Sequence, residues 1–161
     1  MAAAAAVLLS CGGPEKPPPD PAGTVTVNLA NGERIQPAVE QCGSGAPSLS
    51  CSTGCIWSNV MVIFNSSNLD LTMASSSNCA SKYDLVGIAD VGPVSGLGAV
   101  PTSDPPGYTG VVAAQVGHGY VMRYHESVSN TMYHLRLYVD GWLTGAVSGG
   151  VVGVRIKYLA F

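Results

Sequence analysis

The strongest constraint on the fold is a period-two alternation of apolar and polar residues through the last third of the chain. Tyr120, Met122 and Tyr124 alternate with Val121, Arg123 and His125. Tyr133, Leu135, Leu137 and Val139 alternate with His134, Arg136, Tyr138 and Asp140. Val152, Val154, Ile156 and Tyr158 then alternate with Arg155 and Lys157. Successive side chains of a strand leave opposite faces, so each run reads as a half-buried strand. HESVSNT and TGAVSGG lie between the runs and supply turn chemistry. The expectation is a three-stranded antiparallel meander with one apolar face inward and one polar face toward water. A turn over Ser127–Asn130 sets Arg123 opposite His134 and His125 opposite Met132. A turn over Ala146–Gly149 sets Asp140 across from Arg155, an opposite-charge pair.

The same texture extends upstream. TVTVNLANG alternates Val25, Val27 and Leu29 against Thr24, Thr26 and Asn28 and ends on an Asn-Gly turn signal. VMVIF (60–64) is a compact apolar strand and LDLTM (69–73) the next. The stretch 41–59, rich in Ser, Gly and Cys, reads as a stapled loop. DLVGIADVG and VSGLGAV follow, and PTSDPPG (101–107) breaks any ladder. No amphipathic helix of three turns is legible. The fold class expected is all-β, a small antiparallel β-sandwich with a C-terminal three-stranded meander, formed by residues 24–161 as a single domain.

The N-terminus reads as an address. AAAAAVLLSCGG is a short apolar run ending in Leu8-Leu9-Ser10-Cys11, which resembles a bacterial lipobox, although no Lys or Arg precedes it. Residues 1–11 are read as signal peptide and lipobox, with Cys11 as the lipid anchor. The run is too short to span a bilayer. Residues 12–23 hold five prolines and read as an unpacked polyproline tether, able to hold the domain roughly 35 Å from a membrane. Cys42, Cys51, Cys55 and Cys79 remain, an even number, and are candidate disulfide cysteines. Cys79 is expected to pair with Cys51 or Cys55, and Cys42 with the other; a zinc site and free thiols are the competing readings.

Composition narrows the chemistry. Charged residues are only 11% of the 161, so Ser, Thr, Asn and Gly must carry much of the surface, while 47% hydrophobic residues suffice for a core. The net charge of −3 gives no hint of nucleic-acid binding, which normally needs a strongly basic face, and no nucleic-acid partner is expected. Residues 1–110 hold three Lys or Arg against eight Asp or Glu, which is −5; residues 111–161 hold four against two, which is +2. That asymmetry predicts a weakly basic C-terminal sheet face.

GHGYVMRYHESVS (117–129) is the stretch most suggestive of a reactive site. His118 and His125 are seven apart, however, so on an unbroken strand they leave opposite faces and cannot share a metal. Gly117-His118-Gly119 fits a strand-entry turn better than a catalytic histidine. GPVSG and GAVSG carry one residue too many before Ser for a nucleophile elbow. No phosphate loop, H-E-x-x-H or EF-hand pattern occurs, and scattered aspartates do not form a paired-carboxylate hydrolase. No cofactor and no metal is expected. Arg123, His125, His134 and Arg136 form a candidate binding cluster for an anionic glycan or a partner's carboxylates. Trp142 is a candidate sugar-stacking platform, with Trp57 a second, against the commoner role of core packing.

GTVTVNLANG, VGPVSGLGAV, VAAQVGHGYVMRYH and LRLYVDGWLTGAVSGGVVGVRIKY, in that order over residues 23–161, resemble a family of surface lipoproteins of the Bacteroides group with a β-rich domain of unknown function. The resemblance implies an acylated β domain of the cell envelope, at the periplasmic face of the outer membrane or at the cell surface, and supplies no catalytic residues. The function expected is a non-enzymatic envelope lipoprotein acting in binding or adhesion, held to the membrane by its lipid and meeting a glycan or protein ligand. A glycan-binding module of a polysaccharide-utilisation system is the first alternative and a hydrolytic enzyme the second.

Overall fold

The computed structural model describes residues 17–41, 57–77, 83–127, 129–147 and 149–161. Two antiparallel sheets make up a β-sandwich. The five-stranded sheet has the order β1-β9-β8-β7-β5, with β1 Val25–Ala30, β5 Tyr83–Pro93, β7 His118–Glu126, β8 Thr131–Thr144 and β9 Val151–Ala160. The four-stranded sheet has the order β2-β3-β4-β6, with β2 Arg34–Gln41, β3 Trp57–Asn65, β4 Asp70–Ser77 and β6 Val111–Ala113. Strands β7, β8 and β9 form the expected meander.

The alternating residues do what their period requires. Tyr120, Met122 and Tyr124 of β7, Leu135, Leu137 and Val139 of β8, and Val154 and Ile156 of β9 face inward. They meet Val60, Val62 and Phe64 of β3 and Leu71 and Met73 of β4 in one core. Most of these side chains are wholly buried, each contributing about 1.5–3 kcal/mol by leaving water. Arg123 pairs with His134 and His125 with Met132, the register the turn at 127–130 imposes. Tyr138 pairs with Lys157 and Val139 with Ile156, but a bulge after Val139 then puts Gly141, not Asp140, opposite Arg155. The charge pair survives the bulge: Arg155 Nε donates to Asp140 Oδ2 at 2.6 Å. The same bulge turns Trp142 toward the core, where its ring lies 6.2 Å from that of Phe64.

The Asn31-Gly32 turn carries the chain from one sheet to the other rather than closing a hairpin. The Asn31 N–H donates to Val152 O of β9, and the Gly32 N–H donates to Phe64 O of β3. Asn31 Oδ1 also accepts from the Ser66 N–H. One turn thus ties both layers at this corner.

Two expectations about the outer face of the five-stranded sheet need correcting. It is not simply a wet polar face. The connection from Val94 to Gly110 folds over it, and Leu97 and Val100 bury against Val121 in a second small core, edged by Val91, Val94, Tyr108, Tyr138 and Leu159. VSGLGAV is accordingly not a strand but a single 3-10 turn, Leu97–Ala99. Nor is the described part of the proline-rich segment an unpacked spacer. Asp20 Oδ2 accepts from Lys157 Nζ at 2.8 Å. Pro19 O comes so close to Gly98 that a Cβ there would sit 2.7 Å from it. An extended proline segment needs no hydrogen bonds of its own, so it can lie as a strap over the glycines of the roof. Cys11, Cys42, Cys51, Cys55 and Cys79 lie outside the described residues.

Candidate functional site

The candidate cluster on β7 and β8 is divided by the structure into three environments. Arg123 and His134, cross-strand neighbours, converge on one carboxylate of the roof. Arg123 Nη1 donates to Asp104 Oδ2, and His134 Nε2 lies 2.8 Å from Asp104 Oδ1. Tyr108 Oη donates to the same Oδ1 at 2.9 Å, and the Arg123 guanidinium stacks 4.8 Å from the Tyr108 ring centre. Desolvation pushes the Asp104 carboxyl upward, but the bonds from Tyr108, Arg123 and His134 outweigh it and hold the carboxyl below its ordinary range. Burial and the Asp104 bond push the Tyr108 phenol up to about 12. This is a latch. It fastens the 94–110 roof to the sheet and engages two of the four clustered side chains.

Arg136 lies under the same roof and is buried. Its Nη1 donates to Val100 O at 3.3 Å, and its guanidinium lies 5.5 Å from the Phe161 ring centre. Among the described residues its Nε has no hydrogen-bond partner, and neither has that of Arg123. His125 stands apart, at the turn end of the sheet. Its Nδ1 is 3.3 Å from Asp84 Oδ2 and its Nε2 is 3.0 Å from Asn130 Oδ1. The Asn130 and Asp84 bonds raise the His125 pKa. The bonds from His125 and Ser127 lower that of Asp84. Trp142, on the opposite face, is half-buried and packs against the main core, away from the other four.

His118 leaves the face opposite to His125, as its position seven residues away requires. Its Nδ1 is 3.1 Å from both oxygens of Asp90. The glycines around it serve the fold. Gly117 holds φ +84 in the turn into β7, and a Cβ on Gly119 would lie 2.6 Å from Val100 Cγ2. The close approach that Gly119 permits is to the protein's own roof, not to a ligand. Among the described residues, no group of three or more His, Cys, Asp or Glu is placed to hold a metal.

The acids meeting these cations had no motif to announce them. Asp104 sits in a proline-rich connection and Asp20 in the strap, far in sequence from the strands they bind. The lengthwise charge asymmetry was the available signal. The N-terminal acids Asp20, Asp84, Asp90 and Asp104 are the partners of Lys157, His125, His118 and Arg123.

A shallow groove of about 620 Å³ lies at the edge where β1 and β2 diverge from their shared turn, lined by residues that include Val27, Asn28, Leu29, Arg34 and Gln36. No residue of this groove stood out in the sequence, because edge exposure is set by strand order and not by motif.

These features define, among the described residues, a two-layer β-sandwich with a roofed outer face and a groove at one edge. No family model matches the chain. No curated protein and no solved structure matches it either.

Proposed function

We propose that this chain is a non-enzymatic cell-envelope lipoprotein whose β-sandwich serves as a binding or adhesion module. The observation that carries the reading is the separate engagement of its ionisable side chains. Arg123 and His134 share Asp104, His125 takes Asp84, and His118 takes Asp90. Each carboxylate holds structure together at a different place, and general acid–base catalysis instead needs such groups converging on one reacting atom. Among the described residues no helix is long and apolar enough to cross a membrane, so the envelope reading rests on the lipobox-like Leu8-Leu9-Ser10-Cys11 and the family resemblance.

The docked strap alters the geometry that reading implies. Five residues lie between Cys11 and Pro17, and the six steps give a reach of at most ~20 Å, in place of the ~35 Å a free twelve-residue spacer would give. A module anchored this way stands close to its membrane. The test is metabolic labelling with palmitate and membrane fractionation of the wild type and Cys11→Ser, with a glycan-array and pull-down screen on the full chain. Labelled, membrane-bound wild type and unlabelled, soluble Cys11→Ser are expected. An unlabelled wild type in the soluble fraction refutes the anchor, and turnover of a captured ligand refutes the non-enzymatic assignment.

The glycan-binding alternative has one supporting observation. Tyr133 stays 39% exposed while stacked on Tyr124, ring centres 5.2 Å apart, and an exposed aromatic face suits a sugar ring.

A further inference from the structure

We propose that the free edge of β1, with Arg34 beside it, is a docking site for an extended acidic polypeptide strand; this deepens the binding-module reading and rests on it. The hydrogen-bonding phase of β1 identifies which groups are on offer. Asn31 N–H bonds Val152 O, and the β1–β9 register continues the same pairing through Leu29↔Val154, Val27↔Ile156 and Val25↔Tyr158. In an antiparallel ladder, hydrogen-bonded and non-hydrogen-bonded pairs alternate. The odd-numbered residues of β1 therefore spend their N–H and C=O groups on β9, and Thr26, Asn28 and Ala30 point theirs away from the sheet. Ala30 confirms the phase, since its N–H is capped from outside by Glu33 Oε2 at 2.7 Å. Thr26 and Asn28 remain, both exposed, and their outward amides have no partner among the described residues.

The other three edges are protected in recognised ways. β2 carries Pro37, with a bulge between Ile35 and Ala38. β5 has two bulges, carries Asp84 and Asp90, and is bridged at Ile88 by Thr109. β6 is three residues long. β1, VTVNLA, has no charge, no proline and no bulge in its ladder. An unprotected edge of this kind takes a further strand through main-chain bonds, with specificity supplied by neighbouring side chains.

Arg34 supplies that specificity. It is exposed and lines the groove with Asn28, Gln36 and Glu33, whose carboxylate is already engaged by the Ala30 N–H. Among the described residues its guanidinium has one hydrogen-bond partner, the Met61 sulfur, at 3.9 Å. Arg123, Arg136, Arg155 and Lys157 all bond oxygen acceptors, whereas Arg34 has no oxygen acceptor among the described residues. A carboxylate on the incoming strand completes it.

The test is fluorescence anisotropy of the labelled heptapeptide TEVEVET against the full chain, beside its glutamine counterpart TQVQVQT. Thr26→Pro and Asn28→Pro remove the outward amides without touching the β9 ladder, a position where an edge strand accepts proline. Each is expected to weaken TEVEVET about tenfold while thermal melting shows the fold retained. Arg34→Gln is expected to weaken TEVEVET about two- to fivefold, the size of one exposed ion pair, and to leave TQVQVQT unchanged. Equal binding of the two peptides, unchanged binding by both folded proline variants, or no binding of TEVEVET at millimolar concentration overturns the proposal. So does a β1-dependent dimer of the chain that excludes the peptide in sedimentation. If the pull-down captures a ligand that the proline variants still bind, the edge site falls and the binding module stands.

Discussion

Leu97→Ala asks whether the roof over the five-stranded sheet is part of the folded unit or a detachable flap. Leu97 is wholly buried, although it sits in a 3-10 turn within a connection rather than in a strand. The substitution removes three carbon atoms from a cluster of three buried residues, Leu97, Val100 and Val121. At about 0.8 kcal/mol per buried carbon the transfer loss is about 2.4 kcal/mol. The residual cavity adds to it, with partial collapse expected in so small a cluster, giving about 3 kcal/mol in all. Urea unfolding should show that loss at unchanged slope, and the melting temperature should fall by roughly 6–12 °C. Val147→Ala, at a fully exposed turn position, is the control and should stay within about 0.5 kcal/mol of wild type. Hydrogen exchange supplies the second reading, through Val94 N–H, which donates to Gly117 O, and Val100 N–H, which donates to Leu97 O. A global loss below about 0.5 kcal/mol, with protection lost only at those two amides, would show the roof opening independently and refute its integration.

Four further outcomes follow from the same geometry. Tyr120→Phe deletes a hydroxyl that donates to Ala113 O and accepts from the Gln115 N–H, each at 2.9 Å, and should cost about 1–3 kcal/mol by urea unfolding. Burial raises the phenols of Tyr108 and Tyr124 to about 12 and that of Tyr120 still higher. The folded state then holds more protons than the unfolded above pH ~10, so stability should fall as pH rises from there, tracked by circular dichroism beside phenolate absorbance. The Asp84–His125 pair should help most between about pH 4 and 6.5, since its acid contribution is lost below that window and its histidine contribution above it; Asp84→Asn should lower the His125 midpoint in an NMR titration. Gly153→Ala would set a Cβ 2.5 Å from Leu29 O, forcing β1 from β9, and should cost about 1–3 kcal/mol in the same denaturation assay.

Where the alternation was unbroken, the sequence carried the fold. β7, β8, β9 and the 127–130 register were legible because a period of two fixes faces and a short turn fixes pairing. β2 was not legible: Pro37 and the bulge after Ile35 interrupt its alternation, as befits an edge. β6 is too short to show a period. Leu97 and Val100 looked like strand residues, because a buried 3-10 turn and a strand present the same glycine-spaced apolar string. The cluster of Arg123, His125, His134 and Arg136 was correctly placed on one face. Its partners could not be read, since Asp104 and Asp84 come from distant segments that only the fold brings near. Trp142 was assigned by residue type, and one bulged residue decided its face.

Strand order has a consequence for biogenesis. β1 is the first strand of the described fold and its only sheet neighbour is β9, the last. The widest loop in the molecule must therefore close before the larger sheet is whole, which is slow for non-local β pairing. A nascent chain keeps VTVNLA without its mate until the ten-residue β9 emerges. Through that interval the segment is exposed to wrong pairing.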